Sequence, residues 1–132
     1  MSDAPLAPRA MVAGHGEFAE GLVSAVQLIT GRGAAFVAVS AKGLSGVDIE
    51  SLIRRTVEET GVRVVFTDLQ AGSCTMAARR VFRDKPESLL IAGVNLPMLI
   101  DFVFSTELPP VEAARHAFER GRSAISVIGG TP

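Results

Sequence analysis

The chain has 132 residues, of which 48% are hydrophobic and 20% charged, and its formal net charge is -1. That length supports one domain with a real core, and the composition excludes a disordered chain. The charge excludes the strongly basic face of a nucleic-acid binder, the lack of Trp and Tyr excludes an aromatic stacking platform, and the single cysteine excludes an internal disulfide or a cysteine-based zinc site.

No apolar run approaches the ~20 residues that a transmembrane helix needs. Residues 1–8 are small and proline-containing, without the charged start and apolar centre of a signal peptide. They read as a flexible leader before a single domain over residues 9–132, and the chain reads as cytoplasmic.

Residues 10–13 form a short apolar run that ends in Gly14-His15-Gly16. Phe18, Leu22, Ala25, Val26 and Ile29 then recur at helical spacing, and Gly31 and Gly33 supply the stop. Residues 34–39 are an unbroken apolar run, as expected of a strand covered on both faces. Ser40 opens a polar loop, and Ser45 with Asp48 resembles a capping box. Ile49, Leu52, Ile53 and Val57 continue as a helical stripe up to Gly61.

Residues 62–67 predict a third strand, with Asp68 at its carboxyl end. After the turn at residues 69–73, a helix stripe runs through Cys74, Ala77, Ala78, Val81 and Phe82. Residues 88–94 predict a fourth strand. Asn95 and Pro97 then start a helix, with Asn as cap and Pro in the first turn. Residues 111–122 predict a last helix with Val111, Ala114 and Phe118 facing inward, and residues 124–128 a final short strand.

Strands alternating with helices imply a doubly wound α/β fold with right-handed crossovers. The expected architecture is a mainly parallel four-stranded sheet with helices on both faces, plus a short C-terminal edge strand.

In that order, His15, Ser40, Asp68 and Asn95 all fall at carboxyl ends of strands, the rim where open α/β sheets hold ligands. A carboxylate beside an imidazole fixes its tautomer and leaves the other ring nitrogen as a nucleophile. Gly72 and Ser73 begin a helix, whose free N–H groups suit an anion. The pattern reads as a phosphoryl-accepting His15, an orienting Asp68 and a phosphate seat at Gly72-Ser73. No Walker pattern, dinucleotide fingerprint or metal-spaced histidine pair is present, so no cofactor or metal is expected. His116, off the apolar stripe, reads as a surface residue, Cys74 as a small buried one, and Arg54, Arg55, Arg79 and Arg80 as a solvated face.

Three segments carry a family resemblance. Val-Ala-Gly-His-Gly-Glu-Phe-Ala-Glu-Gly-Leu (residues 12–22), Phe-Thr-Asp-Leu-Gln-Ala-Gly-Ser-Cys (66–74) and Gly-Val-Asn-Leu-Pro-Met-Leu (93–99) resemble, in order and spacing, the enzyme IIA components of the mannose-family sugar phosphotransferase system (PTS). The resemblance spans residues 9–129. It implies a homodimer that exchanges a C-terminal strand. It implies a relay in which His15 takes a phosphoryl group from HPr and passes it to a IIB component, serving the membrane IIC and IID proteins indirectly. Asp68 matches the family's orienting aspartate, Gly72 and Ser73 its phosphate-contacting turn, and Ser40, more loosely, the loop after its second strand. By the same resemblance, phosphorylation falls on Nε2 of His15.

The wording around His15 and Asp68 is nearest the galactosamine and N-acetylgalactosamine branch. Two alternatives stand beside the relay: the phosphotransfer subunit of a PTS-dependent dihydroxyacetone kinase, and a non-catalytic regulatory domain that senses phosphorylation.

Overall fold

A computed structural model describes residues 7–131. Most of the expected leader, residues 1–6, therefore lies outside the described residues. Four strands, β1 (Ala10–Gly14), β2 (Phe36–Ser40), β3 (Val64–Thr67) and β4 (Leu89–Ala92), form one parallel sheet in the order β2-β1-β3-β4. Five helices connect or flank them: α1 (Phe18–Thr30), α2 (Gly46–Thr60), α3 (Ser73–Phe82), α4 (Leu96–Phe104) and α5 (Pro110–Ser123). The expected four-stranded doubly wound α/β sheet is present.

Strand alternation sorts the side chains between two cores. Ala10 and Val12 of β1, with Val64 and Phe66 of β3, face α1, α4 and α5. Met11 and Ala13, with Val65, face α2 and α3. Both faces are covered, so the strands read as apolar runs instead of alternating ones. In the first core Phe36, Phe66 and Phe102 form a ring cluster with centroids 5.3–6.2 Å apart. Arg9 caps it: its guanidinium lies 5.3 Å from the Phe102 ring centroid and donates to the carbonyls of Ser105 and Leu108.

Helix ends follow their local chemistry. Ser45 caps α2 by accepting from the Asp48 N–H at 3.2 Å, and Gly61 ends that helix in the left-handed conformation at φ 74°. Asn95 caps α4 by accepting from the Met98 N–H at 3.0 Å, with Pro97 in the first turn.

Several expectations change. The second strand starts at Phe36, because residues 33–35 form a single 3-10 turn; the third and fourth strands also begin later than predicted. Ile29 is 59% exposed and the neighbouring Leu28 88%, so the last turn of α1 turns part of its apolar stripe to solvent. Phe118 is 38% exposed, and the inward face of α5 is instead built from Ala113, Ala114, Ala117 and Gly121. Small residues there allow α5 to approach α4 closely.

The final strand does not form within the chain. Residues 124–131 have no regular structure, and Ile125, Val127 and Ile128 are 74%, 94% and 92% exposed. A strand without a neighbour has no partner for its N–H and C=O groups.

The α4–α5 crossing yields a test. A Cβ at Gly121 would lie 2.6 Å from Met98 Cβ and 2.9 Å from Asn95 Oδ1, neither of which is the free end of a flexible chain. Gly121→Ala should lower the unfolding free energy by about 1–3 kcal/mol through overpacking. Urea denaturation reads this, and an unchanged midpoint would mean that the crossing is looser than described.

Candidate functional site

The strand order reverses between β1 and β3. The chain leaves β1 towards β2 and returns on the other side of β1 as β3. Ligands of open α/β sheets gather outside the carboxyl ends at such a switch point. The register pairs Ala13 with Thr67 and Gly14 with Ser40. His15 and Asp68, 53 residues apart in sequence, therefore meet just beyond the paired ends.

Their contact is double. One carboxylate oxygen of Asp68, Oδ2, accepts the backbone N–H of His15 at 2.8 Å and lies 2.7 Å from its ring Nδ1. The other, Oδ1, accepts the backbone N–H of Leu69 at 3.0 Å. The Asp68 side chain is only 7% exposed, whereas that of His15 is 55% exposed. Held against an ionised carboxylate, Nδ1 carries the proton. Nε2 is then the nitrogen left with a lone pair for solvent or a ligand.

Glycines make this approach possible. A Cβ at position 14 would lie 2.7 Å from Phe18 Cδ1 and 3.0 Å from Asp68 Oδ2, so any side chain there would displace the carboxylate. Gly16 turns the chain at φ 53°, a conformation that other residues adopt reluctantly. At position 72 a Cβ would stand 3.2 Å from His15 Cε1. The start of α3 thus lies directly beside the imidazole.

Gly72 is the N-cap of α3, with no side-chain cap, and its carbonyl accepts the N–H of Met76. The N–H groups of Ser73, Cys74 and Thr75 have no intrahelical acceptor, as at any helix start, and the positive end of the helix lies there. The half-buried Ser73 adds a hydroxyl at its first position. This corner of the site is chemically suited to an anion next to His15.

The remaining rim residues serve the backbone. Ser40 donates its hydroxyl to the Gly16 carbonyl at 2.8 Å and accepts from the Lys42 N–H at 3.1 Å. Its proton is engaged in holding the loop that carries His15. Asn95 is turned away: it caps α4 and donates to the Gly121 carbonyl at 2.8 Å, so it fastens α5 and is not part of the site.

Other features stand apart from the site. No group of three or more His, Cys, Asp or Glu residues that could hold a metal is present among the described residues. His116 pairs with Asp101 at 2.7 Å, tying α5 to α4. Arg80 and Arg54 both pair with Glu50 on the outer face of α2 and α3, which accounts for part of the basic face.

Burial works to raise the Asp68 carboxyl pKa. The His15 backbone N–H, the His15 ring and the Leu69 N–H outweigh it, and the net value is lowered. Cys74 shows the opposite balance: desolvation, helped by the Asp68 charge, pushes its thiol up to about 11 and keeps it protonated.

Two site residues escaped the sequence reading. Thr75 is buried beside the apolar stripe of α3, and Thr67 is the last residue of β3; their hydroxyls lie 2.6 Å apart. The one available signal was a threonine next to Cys74, Ala77 and Ala78, which does not say what it bonds.

A depressed carboxyl stabilises the fold through its ionised form. The contribution of Asp68 is therefore complete above its unfolded-state value and fades as pH falls through the lower folded-state value. The Asp68 carboxyl carbon should titrate below the ordinary aspartate range in an NMR pH series. A midpoint at or above that range would contradict the geometry given for His15 and Asp68.

The family model EIIA-man, PTS system fructose IIA component, matches residues 9–119. Among curated proteins no sequence matches the chain. Among solved structures, the chain is similar to a mannose/sorbose-specific IIA subunit of the phosphotransferase system from Enterococcus faecalis, with a TM-score of 0.79 and 25% identity over 96% of this chain and 98% of the other. It is also similar to a phosphotransferase system component EIIA from Streptococcus agalactiae (TM-score 0.80, 22% identity, 90% and 95% covered). A third similar structure is a PTS IIA protein associated with the fucose utilization operon of Streptococcus pneumoniae (TM-score 0.80, 20% identity, 95% and 96% covered). At these lower identities the likeness carries the fold alone.

Proposed function

The chain belongs to the PTS IIA family of the EIIA-man type, and on that premise we propose that His15 is its phosphoryl-accepting residue in a sugar phosphotransferase relay. The observation that carries this reading is the Nδ1–Asp68 contact at 2.7 Å on an imidazole that is otherwise exposed.

The proposed chemistry follows from that contact. Nε2 attacks the phosphorus of a histidine-phosphorylated HPr. The donor's N–P bond breaks as the new Nε2–P bond forms, so no proton is gained or lost overall. Positive charge that builds on the His15 ring is offset by Asp68, and the Nδ1 proton stays in place. The phosphoryl oxygens gain charge-assisted hydrogen bonds from the N–H groups at the start of α3 and from the Ser73 hydroxyl. Gly72 leaves room for them beside the ring, and Ser40 acts through the Gly16 carbonyl. A IIB component then takes the phosphoryl group by the reverse exchange.

Exposed apolar side chains support a protein as donor and acceptor. Leu69 is 48% exposed next to Asp68; Leu44, just before the α2 cap, and Val47, in the first turn of α2, are 37% and 77% exposed. Apolar residues on the rim of a reactive residue suit a transient protein interface.

The relay can be read directly. Incubation with phosphoenolpyruvate, enzyme I and HPr should place acid-labile, base-stable phosphate on the wild type, and His15→Ala should abolish it. Asp68→Ala should fold but slow transfer by roughly 10²–10⁴-fold, the scale seen when an orienting carboxylate is lost from a reactive imidazole. Undiminished labelling of His15→Ala would remove His15 from the reaction. Transfer to a kinase-bound nucleotide instead of a IIB protein would favour the dihydroxyacetone kinase reading.

We also propose that the protein works as a homodimer in which the tail of one copy completes the sheet of the other. The outer edge of β4 lies open along a groove of about 880 Å³ lined by residues 89–93 with Arg115, Phe118 and Glu119. An open edge invites another strand, and the apolar tail at Ile125, Val127 and Ile128 is without cover in its own chain. Val127→Asp should shift the molecular mass in light scattering from dimer to monomer. A wild type that is monomeric at micromolar concentration would defeat the proposal.

A further inference from the structure

The structure assigns a positioning role to Thr75: its buried hydroxyl fixes the peptide that holds Asp68, and through Asp68 it sets the tautomer of His15. The Thr75 hydroxyl bonds Leu69 and Thr67 and makes no hydrogen bond to His15. Its effect passes through a chain of hydrogen bonds that begins inside the second core and ends at the surface.

The chain of contacts is short and continuous. Thr75 Oγ1 lies 2.6 Å from the Leu69 carbonyl and 2.6 Å from Thr67 Oγ1. A hydroxyl has one proton to give. Thr75 donates it to the Leu69 carbonyl, and Thr67 donates its own to Thr75. The same Leu69 carbonyl accepts the Gly72 N–H at 3.2 Å, which closes the turn. On the other side of that residue, the Leu69 N–H donates to Asp68 Oδ1 at 3.0 Å. The remaining carboxylate oxygen holds both the backbone and the ring of His15. Leu69 is thus gripped at its carbonyl from the core and grips the carboxylate with its N–H.

Burial makes the hydroxyl pair a constraint. Thr67 is 0% and Thr75 3% exposed, so water has no access to the two hydroxyls. A buried polar group with its partner removed costs far more than the bond was worth. Neighbours on α3 offer no substitute: Cys74, Ala77 and Ala78 are fully buried, and the Cys74 thiol is a weak donor. Without the Thr75 hydroxyl the turn at residues 68–72 has one tether fewer. Asp68 then has two bonds to His15 but a less firmly placed Leu69 N–H on its other oxygen.

The rate part of the test rests on the phosphoryl-transfer reading of His15, while the tautomer part stands without it. The experiment is an imidazole nitrogen NMR spectrum of the full 15N-labelled chain at alkaline pH, for wild type, Thr75→Val and Thr75→Ser, with phosphoryl transfer from HPr measured on the same samples. In the wild type His15 should hold its proton on Nδ1. In Thr75→Val the His15 signals should move to a mixture of the two tautomers, while those of His116, paired with Asp101 on the far helices, stay fixed. The transfer rate at saturating donor should fall about 10-fold, the scale of a misplaced reactive group, with the half-saturating donor concentration unchanged. Thr75→Ser keeps the hydroxyl and should restore both readouts.

Unchanged His15 signals in Thr75→Val would overturn the inference. Movement of His15 and His116 together would also overturn it, since that reports general loosening. If the valine variant does not fold, Thr75→Ala removes the hydroxyl without added bulk, and the same outcomes apply. A wild type that accepts no phosphate while Thr75→Val still shifts the His15 tautomer would defeat the relay reading and leave the positioning role intact.

Discussion

The parallel pairing of β1 with β3 is the constraint on which the site depends. Ala13 stands opposite Thr67, so the next residues out are Gly14 and Asp68, then His15. A shift of one residue would turn every side chain to the other face. If β1 slipped, Val12 would leave the first core for the second and Met11 the second for the first. Both faces are covered, so the slip would put the wrong volumes into each core, at about 1–3 kcal/mol per overpacked site, and this locks the register and with it the contact between His15 and Asp68. The geometry of the candidate site is inherited from hydrophobic burial.

At the carboxyl end of this pair, two kinds of order meet. Below the rim the contacts are apolar and tightly packed. Above it they are polar and few: one carboxylate, three donors to it, and a helix start. The two glycines at positions 14 and 72 are where packing yields to chemistry, since a methyl group at either would strike Asp68 or His15. The same low-dielectric surroundings that keep Cys74 protonated would raise Asp68 as well, were it not for the N–H groups aimed at it. A carboxylate kept ionised by fixed donors needs no rearrangement when charge builds on the neighbouring ring.

The β4 edge of the sheet is less complete. The sheet ends at β4 with an open groove, while an apolar tail leaves α5 without covering anything in its own chain. One is an unpaired edge and the other an uncovered apolar segment. Gln70, in the turn that carries Asp68, also lines this groove. The site and the open edge are therefore neighbours through that one turn.

Sequence alone determined the alternation of strands and helices, because apolar periodicity and glycine or asparagine punctuation report local preferences directly. It also placed His15, Asp68 and Gly72-Ser73 at strand ends and a helix start, where the topology brings them together. Asn95 shared that signature and was also expected as a helix cap; the cap formed, and only the structure showed that it turns the side chain away from the rim. The tertiary structure alone decided the rest. Exposure of Ile29 and Phe118 depends on which elements pack against those positions, which no stripe within one helix encodes. The engagement of Ser40 with Gly16, and of Thr75 with Leu69 and Thr67, joins residues that local pattern cannot connect. A hydroxyl's bonding partner is set by distance in space, and distance is known only once the sheet register has closed the chain upon itself.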